Sequence, residues 1–319
     1  MLGLMTSRQL AGDPHGNWRS NDHAPGAIGA FELIAAGKHS IDETTTAPTE
    51  KRAAGAARPT RKLVDSTLKI CCLGFHVIRR GGAIPITIRA NTRPALLLRL
   101  LIASGPDGVA KQQAERVMWP LDSTASVQRP VDSTLYRLRQ LLQSERACRL
   151  DHGMILLDAK FVSIDAWLFE TEADALLNRL RHAAAVESGE IAVRVERLLE
   201  LYRGPFFAAD DSIPAVVQTR DRLKGKFTQA IARTGEFWQE VGRWDRAQQL
   251  HEQALTLDNL AEETHREIMR CHLVQGHFAE AVRAFNRCRE LLASVLGVTP
   301  SDETLLLYRR ALLGRDVAN

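Results

Sequence analysis

Four residue pairs stand 34 positions apart in the second half of this 319-residue chain: Gly242 and Gly276, Trp244 and Phe278, Ala247 and Ala281, Leu257 and Leu291. Each pair has a steric job. The glycine ends a helix in a tight turn, the aromatic ring wedges between helices, and the alanine lets two helices approach closely. A unit of this kind cannot bury its apolar face alone, so the pattern requires stacked helical hairpins.

That period is the tetratricopeptide one. Further helices are predicted over 187–202 and 214–241, with Pro214 as a first helical residue, and DETLLLYRRALL (302–313) is expected to cap the stack. His251, His265, His272 and His277 fall among these helices. A metal pair from His272 and His277 is disfavoured, because a spacing of five does not put both on one helical face. They read as packing or solvated side chains.

A second segment points elsewhere. In RPVDSTLYRLRQLL (129–142), Pro130 suits the first helical position, where its fixed φ is preset and its missing N–H is orphaned anyway. Val131, Leu135, Leu138 and Leu142 then form one apolar stripe. The opposite face carries Arg129, Ser133, Tyr136, Arg137 and Gln140, with Asp132 and Arg139 on one flank and Thr134 on the other. Such a row suits a DNA groove. Its neighbourhood agrees: residues 66–162 hold 14 Lys+Arg against 7 Asp+Glu, whereas residues 163–319 hold 20 against 24. Concentrated positive charge is the footprint of phosphate contact, and an acidic half is free to face protein.

Around that helix the pattern is of mixed type. KICCLGFHVIRR (69–80) reads as a strand with Leu73, Phe75 and Val77 on one face, Gly81 and Gly82 supply a hairpin turn, and AIPITI (83–88) resumes in strand. Helices are predicted over 92–104 and 111–119. RACRL-DHG-MILLD (146–158) reads as another hairpin with Gly153 in its turn. FVSIDAW (161–167) reads as a link. Residues 1–65, rich in Gly, Ala, Pro, Thr and Ser, cannot bury enough apolar surface to offset their ordering entropy and read as a disordered extension.

The string 129–142 resembles the recognition helix of OmpR/PhoB-type winged-helix proteins, and sheet, three helices and hairpin follow one another in that family's order. LLELYRGPFFAADD (198–211) resembles an LY-x-G-x-F signature through Leu201, Tyr202, Gly204 and Phe206. RCRELLASVLGVTPSDETLLLYRRAL (287–312) resembles the end of the bacterial transcriptional activator domain, the helical module of SARP-type antibiotic regulators, through Leu292, Leu296, Gly297, Pro300, Ser301, Glu303 and Thr304. Two departures stand out: AVVQTRDRL replaces a helix with Trp after the GPFF loop, and DHGM replaces the usual Gly-Tyr of the wing.

The resemblance implies a mainly α fold with a small β component: a winged helix-turn-helix domain over 66–162 and a tetratricopeptide-like repeat domain over 163–319. It implies a regulator, an activator rather than a repressor, that binds promoter direct repeats in double-stranded DNA, recruits RNA polymerase and pairs as a homodimer on DNA. The DNA-binding set is Arg129, Ser133, Tyr136, Arg137, Arg139 and Gln140. The alternative is a tetratricopeptide-type interaction scaffold without DNA binding. No enzyme is expected, since GxxxxGK[ST], GxSxG and HExxH are all missing from the sequence. Catalytic residues, cofactor and metal are each expected to be none. Five cysteines without CxxC read as small buried apolar residues. Without a membrane-length apolar run or a signal-like start, a cytoplasmic location is expected, with no membrane partner.

Overall fold

A computed structural model describes residues 67–81, 85–86, 92–119, 131–181, 188–208 and 210–318. The extension expected over 1–65 lies outside them.

The first elements are β1 (Leu68–Cys71), β2 (Val77–Arg80), α1 (Arg93–Ser104), β3 (Val109–Ala110), α2 (Lys111–Met118), α3 (Val131–Leu141), β4 (Cys148–Asp151), β5 (Met154–Leu157) and β6 (Val162–Ile164). They make two small sheets, ordered β2-β1-β6 and β3-β5-β4. Helices follow: α4 (Asp165–Arg181), α5 (Ser188–Leu201), α6 (Pro214–Glu240), α7 (Trp244–Leu257), α8 (Glu262–Val274), α9 (Phe278–Leu291) and α10 (Asp302–Ala318), with a wide turn at Leu292–Leu296 between the last two. The fold is mainly α with a small β component, as the sequence implied.

Two local readings are corrected. The strand expected to run unbroken over 69–80 turns at Gly74, whose φ is +86°, so that β1 and β2 pair antiparallel with Cys71 opposite Val77. A Cβ at Gly74 would lie 2.5 Å from the Arg203 carbonyl oxygen, so the chain bends here against a distant loop that only a glycine admits. Phe75 consequently leaves the face it was expected to share with Leu73: Leu73 is buried and Phe75 exposed. After it, Gly81 has φ +54° and the Ile86 N–H donates to the Ile78 carbonyl, while Gly82 and most of the strand predicted over 83–88 lie outside the described residues. Residues 161–167 are not a link either. Val162 and Ile164 alternate inward on β6, which pairs parallel with β1, and Asp165 opens α4.

Asp165 ties sheet to helices. Its carboxylate accepts from the backbone N–H groups of Cys72, Leu73 and Ala166 and from the Cys72 thiol, at 2.8–3.1 Å. Burial pushes its pKa above the usual carboxylate range, against the pull of those donors. The LYRGPFF loop adds to the same edge: Leu73 bridges to Phe206, and the Phe207 N–H donates to the Cys72 carbonyl.

Helix α1, RPALLLRLLIAS, is apolar on nearly every side and accordingly buried. Its terminal carbonyls need partners away from water. Trp167 on α4 donates to the Ile102 carbonyl and Thr219 on α6 to that of Ala103. One hydrophobic core therefore runs from β1 through α1, α4 and α6 to Leu250 and Ala254 on α7, while a second gathers around Met269, Phe285 and Leu307.

The repeat has the expected form. Gly242 and Gly276 share φ +74°, and the following residues donate back across each helix end, Arg243 to the Trp238 carbonyl and His277 to that of His272. These are left-handed glycine caps. Ala247 and Ala281 are fully buried where the helices meet.

Candidate nucleic-acid interface

Helix α3 buries Val131, Thr134, Leu135 and Leu138 and exposes Asp132, Ser133, Tyr136, Arg137 and Gln140. Apolar residues at steps of four and three turn one face inward, which leaves the polar row outside. Tyr136 keeps 59% of its surface in solvent, a large aromatic ring that the core does not use. Thr134 departs from the expected flank and is buried.

Both helix ends are fixed. Leu142 stays buried while Gln143 takes a left-handed φ of +51°, and the Ser144 N–H closes back on the Arg139 carbonyl at 3.1 Å. Arg80 on β2 donates to the Leu142 carbonyl at 3.1 Å, a cation where the helix dipole is negative. At the other end Lys111, the first residue of α2, holds the Asp132 carboxylate at 3.0 Å. Neither Arg80 nor Lys111 was singled out in the sequence, because their partners lie in other elements.

Of the six expected DNA-binding residues, Ser133, Tyr136, Arg137 and Gln140 come together on the exposed face. Arg139 is half-buried, and its Nε donates to the Cys148 carbonyl at 2.8 Å, which pins α3 to the first strand of the hairpin. Arg129 lies outside the described residues, as does Pro130.

The hairpin β4–β5 turns at His152 and Gly153, with φ of +46° and +81°. Two successive left-handed residues match the twist of a two-residue hairpin. The His152 side chain is fully exposed at the tip, with Nδ1 2.7 Å from the Asp151 carboxylate. The Gly153 carbonyl accepts from the Lys111 N–H at 2.8 Å, so hairpin tip and helix pair are joined through the backbone. Nearby arginines are seated on neighbours: Arg93 over Trp119, Arg146 over Phe161, and Arg149 3.7 Å from Asp158.

Cys148 is buried, and burial pushes its thiol to about 12. Among the described residues no three His, Cys, Asp or Glu groups stand close enough to hold a metal ion. No described helix is long and apolar enough to cross a membrane.

Comparisons with known proteins agree with this architecture. Residues 164–312 match the model of the bacterial transcriptional activator domain. Among solved structures, Mycobacterium tuberculosis EmbR in complex with a low-affinity phosphopeptide is similar in fold, with a TM-score of 0.55 at 17% identity over 77% of this chain. The chain spans 65% of the length of that one. No curated protein matches the sequence. Residues 164–312 are thus similar to the bacterial transcriptional activator domain, and the fold as a whole is similar to that of EmbR.

Proposed function

We propose that this protein is a DNA-binding transcriptional activator whose helix α3 enters the major groove of promoter direct repeats. The observation that carries the reading is the exposed row Ser133, Tyr136, Arg137 and Gln140 on a helix braced at both ends. Arg and Gln are the side chains that pair with guanine and adenine edges, and hydroxyl groups reach bases or phosphates. Arg139 supports the row from the flank, and Arg129, outside the described residues, is proposed as a further contact from the sequence. The hairpin β4–β5 stands beside α3 as the wing that meets the adjacent backbone. The balance of 14 Lys+Arg against 7 Asp+Glu over 66–162 supports phosphate contact.

The acidic repeat domain faces protein, with RNA polymerase as its partner, and two copies assemble head-to-tail on DNA as a homodimer. The protein works in the cytoplasm and needs no cofactor. Retardation of promoter fragments by the full chain tests this reading: affinity should fall steeply with salt as condensed counterions are released. No retardation even at low salt would end it.

A further inference from the structure

Helix α10 carries leucine on two faces. One face is buried: Thr304, Leu307 and Ala311 turn inward where α10 packs on α8 and α9, and Gly314 leaves no room for a Cβ beside the Phe278 ring. The other has Leu306 at its centre, 49% exposed, and Leu313 two turns on, 67% exposed. Asp302, Arg309 and Arg310 are exposed with them and show no hydrogen bond or ion pair among the described residues. Glu303 reaches Arg266 at 3.3 Å yet keeps 73% of its side chain in solvent. At 3.6 residues per turn, positions 302, 303, 306, 309, 310 and 313 fall within about one third of the helix circumference. Single exposed leucines are common on protein surfaces. What distinguishes this face is the order of its charges.

Acid stands at 302 and 303 and base at 309 and 310, so the face carries its own complement in reverse order. In two antiparallel copies of α10 related by a two-fold axis at Leu306, residues equally far from 306 in opposite directions face one another. Asp302 then stands opposite the partner's Arg310, and Glu303 opposite the partner's Arg309, within about 6 Å of the axis along the helix. Leu306 meets its own copy. Leu313 reaches the partner's Val298, which is 48% exposed just ahead of α10. Other arrangements fail on charge, because like charges set against each other oppose association. Parallel helices would set acid against acid, and an axis midway between Leu306 and Leu313 would set Arg309 against the partner's Arg310.

We propose that α10 is a self-association face through which two copies of this chain form an antiparallel, two-fold pair centred on Leu306. Such an interface is self-complementary, so every contact away from the axis is made twice. It differs from the head-to-tail assembly on DNA, which repeats without a two-fold axis, and it does not rest on DNA binding. One helix from each partner lies at the small end of specific interfaces, below about 1,200 Å² in total, so a dissociation constant on the order of 10 µM is expected.

Sedimentation velocity of the full-length protein without DNA, at concentrations on either side of about 10 µM, tests this. The parent should pass from monomer to dimer. Leu306→Glu, which sets two carboxylates across the axis, should weaken the dimer about tenfold or more. Arg310→Asp, which sets acid against the partner's Asp302 twice, should weaken it about fivefold or more. Asp302→Arg combined with Arg310→Asp restores both pairs in reverse and should return the constant to within about threefold of the parent. All three positions are exposed, so the variants should melt like the parent. A parent that stays monomeric throughout, undiminished association in Leu306→Glu, or a charge-exchanged variant no tighter than Arg310→Asp alone would overturn the proposal. Should Leu306→Glu melt early, the charge exchange decides it.

Discussion

The Arg99 guanidinium on α1 lies 2.5 Å from the Asp210 carboxylate in the LYRGPFF loop segment, with both side chains about nine-tenths buried. Arg220 on α6 holds the same loop by donating to the carbonyls of Phe206, Phe207 and Asp210. That loop is joined to the winged helix by this ion pair and by main-chain hydrogen bonds from the Phe207 N–H to the Cys72 carbonyl and from the Gly74 N–H to the Pro205 carbonyl.

Removing one partner of a buried pair strands the other charge away from water. Arg99→Met should therefore destabilise the chain by about 3–5 kcal/mol, and Arg99→Met with Asp210→Asn by less than the single change. Urea unfolding of the three proteins measures this. A single variant as stable as the parent would mean that the pair is solvated.

Asp165 is predicted to matter beyond its own element. Asp165→Ala leaves the N–H groups of Cys72 and Leu73 without their acceptor and should cost about 2–5 kcal/mol. A fragment ending at 162 lacks this residue and two of the three residues of β6, so it should unfold at lower urea than one ending at 181. Equal midpoints for the two fragments would show that the winged helix closes its core without α4.

The contrast between what was legible and what was not follows contact range. The repeat could be read because Gly242, Ala247 and their partners act within one hairpin, and the face of α3 because its periodicity is local. Gly74 could not be placed, since its bend answers to Arg203 and Pro205 far along the chain, and FVSIDAW read as a link because Val162 and Ile164 gain meaning only beside β1. At the interface, the outward set was legible, but the ties of Arg139 to Cys148, Lys111 to Asp132 and Arg80 to Leu142 were not. Each depends on which elements become neighbours.

Acid should weaken the fold through His251. Its pKa is about 4 in the native chain against 6.5 when unfolded, so the unfolded state binds the extra proton between those values. The contribution is fully present above pH 6.5 and is lost as pH falls towards 4, amounting to about 3 kcal/mol. His265 and His272 shift in the same direction, both through burial. Unfolding of wild type and His251→Phe at pH 7 and pH 4.5 isolates the His251 share: the wild type should lose more stability on acidification. Parallel losses would place His251 in water.

The central claim is that α3 reads DNA, and binding isotherms of Arg137→Ala on selected and scrambled duplexes test it most directly. Arg137 is exposed and shows no hydrogen bond or ion pair among the described residues, so the variant should melt like the parent. Loss of about 1–3 kcal/mol on the selected site with flattened sequence preference is the predicted result for a base contact, and uniform weakening with a shallower salt slope that for a phosphate contact. Unchanged affinity on both duplexes, in a folded variant, would contradict the account.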